Sequence, residues 1–162
     1  MKVLLPVDRS DASSKAVQFV GKLLAGRGGQ DQVTVYHVAE FLPEFMLTDL
    51  PEAGLTTRSL AERWATRAKT DGEALLAEQK QALIAAGVAA DSVQTRLELK
   101  DCLPESKKVA AALMIIGEMQ SNAYDLVCIG RRGASALSQS FIGGVAEKVL
   151  REAHGRSVLI VD

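Results

Sequence analysis

Five short runs of β-forming, mostly apolar residues recur along this chain, and a helix-patterned stretch separates each from the next. Lys2 to Val7 is nearly continuous in apolar residues, the pattern of a strand covered on both faces. Gln32 to Val38 alternates Val33, Val35 and His37 against Thr34, Tyr36 and Val38. Val93 to Lys100 alternates apolar with charged residues, which predicts a half-exposed strand at or near a sheet edge. Leu126 to Gly130 and Ser157 to Val161 complete the set. Strands that alternate with helices in this way form a parallel sheet with right-handed crossovers. The predicted fold is a single Rossmann-like α/β domain over residues 1–162, with helices on both faces of a five-stranded parallel sheet in the order 3-2-1-4-5.

The helices carry their own signals. Ser10 or Asp11 can cap the first, whose buried stripe is expected to be Ala12, Ala16, Phe19, Val20 and Leu23. Gly26-Arg27-Gly28-Gly29 stops it. A long helix rich in Ala, Glu, Lys and Leu runs from about Arg58 to Ala86 and is closed by Gly87. Pro104 suits the start of a third helix reaching about Asn122, with Val109, Leu113, Ile116 and Met119 inward. A fourth begins at Gly143 or Gly144 and continues to about Ala153, where His154-Gly155 ends it. Residues 40–57 hold Phe41, Leu42, Phe45, Met46 and Leu47 broken by Pro43 and Pro51, an irregular segment that reads as a lid or a partner surface.

Composition narrows the partners. A net charge of -1 gives no electrostatic footing for nucleic acid or an acidic membrane surface. No stretch approaches the roughly 20 apolar residues of a membrane span, and the first apolar run stops at Asp8, too soon for a signal peptide. Cys102 and Cys128 match no metal spacing, and Cys128 lies in an apolar strand as an inert thiol, so the cytoplasm is the expected compartment. Two isolated histidines exclude a zinc cluster: His37 reads as a satisfied core histidine, and His154 suits a helix C-terminus. The chain has neither a P-loop nor a nucleophile elbow, and no strong general base is placed to activate water. No catalytic residue is therefore expected, and turnover, if any, is slow.

The chemistry lies in Gly130-Arg131-Arg132-Gly133 and, nine residues on, Gly143-Gly144-Val145. This loop runs from a strand to a helix start. Glycines let the backbone approach a ligand closely, and the helix start offers unpaired N–H groups and the positive end of the peptide dipole. With two arginines inside it, the loop reads as a phosphate-binding site. In a 3-2-1-4-5 sheet it faces the loop after strand one across the crevice where the winding reverses.

Strand one ending Pro6-Val7-Asp8-Arg9-Ser10, strand two ending Tyr36-His37-Val38, and the Gly-x-x-Gly-x9-Gly spacing after Asp125-Leu126-Val127-Cys128-Ile129 together resemble the universal stress protein family over the whole chain. The resemblance implies a homodimeric regulatory or stress-response protein, with ATP or AMP as ligand, ATP accompanied by Mg²⁺, and a further protein partner that reads the bound state. It places Pro6 and Asp8 on the ribose and adenine side and the Val38 backbone against adenine. Gly130, Arg132, Gly133, Gly143, Gly144 and Val145 surround ribose and phosphates. The family's ATP-binding pattern continues with Ser or Thr after the third glycine, where this chain has Gly144. One hydrogen bond to a charged group is worth about 1.5–3 kcal/mol, roughly ten- to a hundredfold in affinity. Arg131, Arg132, Ser140 and backbone N–H groups are the residues able to offset part of it. The apolar strand 157–161, left at a sheet edge, is the expected dimer contact.

Overall fold

The computed structural model of the protein describes residues 1–27, 29–41, 57–101, 107–134 and 141–162. Strand β1 (Lys2–Pro6) leads into α1 (Asp11–Leu24), followed by β2 (Gln32–Phe41), α2 (Thr57–Ala85), β3 (Val93–Asp101), α3 (Lys107–Ser121), β4 (Leu126–Gly130), α4 (Gly144–Glu152) and β5 (Ser157–Val161). The sheet order is β3-β2-β1-β4-β5, and every pairing is parallel, as expected from the alternation. Central β1 has neighbours on both sides and helices on both faces, which is why its residues from Val3 to Pro6 are all buried.

Period-two alternation sends Val3 and Leu5 to one core with Val33, Val35, Ala16, Val20 and Leu83, under α1 and α2. It sends Leu4 to the other, with Tyr36, Ile116, Met119, Val127 and Val149, under α3 and α4. Cys128 is fully buried, and burial pushes its thiol up to about 12, so it is inert at physiological pH. Edge strand β3 carries Arg96, Glu98 and Lys100, as anticipated.

Two helical faces differ from expectation. Phe19 is 42% exposed, because α1 buries Ser13, Ala16, Val17, Val20, Gly21 and Leu24 instead. That stripe includes a serine and a glycine. The serine is drawn in by hydrogen bonding, and a Cβ on Gly21 would stand 2.8 Å from Ala86 Cβ, so glycine lets α1 cross α2 closely. Leu113 is likewise 47% exposed. Helix α3 turns Ala112, Ile115, Ile116 and Met119 inward together with Glu118, whose carboxylate takes Arg96 at 2.6 Å and the Tyr124 hydroxyl at 2.7 Å. That buried carboxylate, half of a polar network between α3 and the sheet, leaves no trace in the apolar periodicity.

Strand β2 also runs on to Phe41, because β3 keeps pairing with it as far as Asp101. Glu40 and Phe41 thus belong to the sheet and Thr57 to α2, and the rest of the expected irregular segment lies outside the described residues. The same holds for Cys102, Pro104 and Ser140.

Candidate functional site

At the carboxyl ends of β1 and β4 a cavity of about 170 Å³ opens between the two following loops. One water centre needs only about 10–15 Å³, so this is space for a ligand rather than a packing fault. Pro6, Asp8, Val38, Gly130, Arg132, Gly133, Gly143, Gly144 and Val145 all line it. Sequence reasoning named each of these.

The side of the cavity after β1 is built from side chains. Ser10 is the N-cap of α1 and accepts from the Ser13 N–H at 3.1 Å. The Ser13 hydroxyl accepts from the Asp8 N–H at 3.0 Å, closing a second turn of the same knot. Asp8 Oδ1 accepts from the Ser10 N–H at 3.0 Å and from the Ser10 hydroxyl. Its other oxygen, Oδ2, crosses the crevice and accepts from the Ala134 N–H at 2.9 Å. Asp8 is therefore a staple between the two loops as well as a wall of the cavity.

The side after β4 is built from backbone. A Cβ on Gly130 would lie 2.7 Å from Ala12 C and 2.8 Å from Ser13 N, so only glycine lets the end of β4 meet the start of α1. A Cβ on Gly133 would lie 2.8 Å from Asp8 Oδ2. The Gly143 N–H donates to Arg131 O at 2.8 Å, which ties the two feet of the loop together. Gly143 is the N-cap of α4 and supplies no side-chain cap bond. Gly144, Val145 and Ala146 of the first turn of α4 line the cavity, and the glycine N-cap has no side chain to offer their N–H groups a capping oxygen.

The two arginines part company. Arg132 lines the cavity. Arg131 does not: its Nη2 pairs with Asp162 Oδ2 at 2.9 Å, and its guanidinium lies 5.6 Å from the centroid of the Phe141 ring. The carboxylate at the end of β5 draws this side chain to the edge of the sheet, away from the position expected of a phosphate ligand. Ser140, expected as a compensating hydroxyl, lies outside the described residues.

Several cavity residues were not assigned to the site from the sequence: Ser10, Ser13, Tyr36, Ala111, Ile115 and Ile129. Ser10 was legible as a cap, but not as a wall. His37 is satisfied at one nitrogen, with Nδ1 2.8 Å from Val7 O, yet it is half-buried on the cavity wall rather than in the core. The carbonyl can only accept, so Nδ1 carries the hydrogen. Burial lowers the pKa of His37, against the opposing pull of the Val7 bond and the Asp8 charge, so the imidazole is neutral at pH 7. Among the described residues there is no cluster of side chains able to hold a metal ion, and no helix is long and apolar enough to cross a membrane.

Similar folds recur among solved structures. The hypothetical protein MJ0577 superposes with a TM-score of 0.74 at 17% identity, covering 99% of this chain and 94% of that one. Universal stress protein UspA from Lactobacillus plantarum gives 0.67 at 18% identity, covering 100% and 97%. A universal stress protein in complex with cAMP gives 0.61 at 20% identity, again covering 100% and 97%. At such identities the likeness is one of fold. No curated protein matches the chain by sequence. The model of the universal stress protein family matches residues 1–162, from the first strand through the glycine loop to the last, and the chain belongs to that family.

Proposed function

We propose that this universal stress protein binds a nucleotide, ATP or AMP, in the cavity between Asp8 and the glycine loop, and that the bound state regulates a protein partner. The observation that carries the reading is the start of α4, which opens into the cavity behind a glycine N-cap with no side-chain cap bond. Uncapped N–H groups at a helix start favour a phosphate. Gly130, Arg132, Gly133, Gly143, Gly144 and Val145 take the phosphate and ribose side. Pro6, Asp8 and Val38 take the base side, where Val7, Ile115 and Ile129 give the cavity an apolar wall suited to a purine. Mg²⁺ accompanies ATP on the phosphate oxygens rather than sitting in a protein cage, since the described residues offer no ligand cluster for it. The cAMP complex of a related fold supports the nucleotide class. The protein acts in the cytoplasm as a homodimer joined through residues 157–161, and binding rather than turnover is its work.

The test is calorimetric titration of nucleotide-stripped protein with ATP·Mg²⁺ and with AMP, beside mass analysis of whatever nucleotide is released on denaturing the protein as purified. Saturable heat with either ligand is expected. Its absence at millimolar ligand removes the reading.

A specific observation favours a second reading, a nucleotide-free interaction module. Both Asp8 oxygens already accept from this chain, and Gly144 carries no hydroxyl for a phosphate. The variant Gly144→Ser separates the two. In the first reading it tightens existing binding roughly ten- to a hundredfold, whereas in the second it creates binding where the natural chain shows none.

A further inference from the structure

The ladder between β1 and β2 ends one bond early. In a parallel pair both main-chain groups of a residue turn to the same neighbouring strand, and alternate residues serve alternate neighbours. Pro6 lies opposite Tyr36, and the Val7 N–H donates to Tyr36 O at 2.8 Å. Val7 therefore turns its N–H and C=O to β2, while Tyr36 and Val38 turn theirs to β1. The next bonds of this ladder would run from the Val38 N–H to Val7 O and from the Arg9 N–H to Val38 O. Among the described residues neither forms. His37 Nδ1 donates to Val7 O instead, at 2.8 Å, and the Asp8 N–H has already turned away to the Ser13 hydroxyl.

Helix α2 makes room for that imidazole. Gly72 is buried against it, and a Cβ there would stand 3.1 Å from His37 Cδ2. Val7, Asp8 and Val38 all line the cavity, on the side assigned above to the base. One residue thus opens an N–H and a C=O there, side by side and without a strand to take them.

We propose that His37 is a positioning residue for the base: by holding Val7 O it stops the ladder and keeps the Val38 N–H and C=O as a paired donor and acceptor that select a 6-aminopurine. The inference rests on the nucleotide reading above and supplies a residue that decides which base is read. Adenine presents the N1 acceptor beside the N6 amino donor, which complements an N–H beside a C=O. Guanine presents N1–H beside O6, so donor meets donor and acceptor meets acceptor. A site left with unpaired polar groups rejects such a ligand. Without the imidazole, Val7 O stands at the register position of the Val38 N–H. The ladder then gains a bond, and the base loses its donor.

Amide hydrogen exchange of the nucleotide-stripped full chain, followed by NMR, is the first measurement. The Val38 N–H should exchange about a hundredfold faster than the Tyr36 N–H, which the ladder holds, and ATP·Mg²⁺ should slow it. Equal protection of the two amides before ligand is added overturns the proposal. In His37→Leu the Val38 N–H should become protected without ligand. Calorimetric titration with ATP and GTP then reads the selection. Wild type should prefer ATP roughly ten- to a hundredfold, the worth of one matched pair of base contacts, and His37→Leu should lose most of that preference. His37→Gln keeps a side-chain N–H donor and should restore it. A merely structural role would weaken both nucleotides alike, so an unchanged ATP to GTP ratio in His37→Leu overturns the positioning role and leaves the nucleotide reading intact. No binding of either nucleotide by wild type removes the nucleotide reading and the base contact with it, and exchange at Val38 still decides whether His37 ends the ladder.

Discussion

The loop after β1 holds its shape with side chains, and the loop after β4 holds its shape with main chain brought into close contact. On the first side, Asp8, Ser10 and Ser13 close a knot of hydrogen bonds around the start of α1. On the second, Gly130 lies against the backbone of Ala12 and Ser13, and Gly143 ties back to Arg131. The difference teaches where each half is vulnerable. A knot of hydrogen bonds loses one bond at a time, whereas a glycine at which an added Cβ would stand under 3 Å from neighbouring backbone leaves no slack.

The sharpest way to break this comparison is Gly130→Ala. The new Cβ would meet three backbone atoms of Ala12 and Ser13 within 2.7–2.9 Å, none of which can swing aside like a side chain end. Overpacking of this kind costs about 1–3 kcal/mol, and contact with backbone puts the change at the upper end. Gly117→Ala is the control: it lies in α3, and nothing stands within 4 Å of the new Cβ. Removing a helical glycine there should add about 0.5–1 kcal/mol. Urea midpoints moving in opposite directions are expected, and a Gly130→Ala protein as stable as wild type would show that the end of β4 has room.

Asp8→Ala comes next. It removes the acceptor for the Ser10 and Ala134 N–H groups together. Water can replace part of this at the exposed Ala134 end, so the loss of stability should be about 1–2 kcal/mol, smaller than at Gly130. Nucleotide affinity should fall further than stability does, because the variant frees the glycine loop from its anchor. Calorimetry and urea unfolding on one preparation measure both; equal ATP affinity in wild type and Asp8→Ala would confine Asp8 to the knot.

The side-chain half of the site was less legible in the sequence than the backbone half. Glycine spacing is a one-dimensional signal, and Gly130, Gly133 and Gly143 lie where the spacing put them. The strand order followed in the same way from alternation, because each crossover constrains the next. Ser13, Tyr36 and Ile115 were hidden for a different reason. Their roles depend on the phase of a helix and on which strand lies beside them, and a serine on a buried stripe or a glycine at a helix crossing looks like a defect in the apolar pattern. Arg131 marks the limit most clearly. Nothing local distinguishes it from Arg132, and its direction is decided by Asp162, brought beside it only by the pairing of β4 with β5.

The smallest effect concerns the bond that joins the two strands of the side-chain half, His37 Nδ1 to Val7 O. Burial lowers the pKa of this imidazole below its ordinary 6.5, so the unfolded chain takes up a proton at His37 before the folded chain does. The contribution of His37 to stability is complete above pH 6.5 and drains away as the pH falls from there through the folded value. Asp31, whose pKa is lowered below 3.8 by the α-amino group of Met1, loses its own contribution only as the pH falls below 3.8, so the two windows do not overlap. Urea unfolding of wild type and His37→Gln at intervals between pH 8 and pH 5 isolates the term. Wild type should lose more stability than the variant below pH 6.5, and the curves should run parallel above it. Parallel curves throughout would mean that the cavity side of the ring is wet enough to accept the proton, and that the knot around Asp8 ends short of β2.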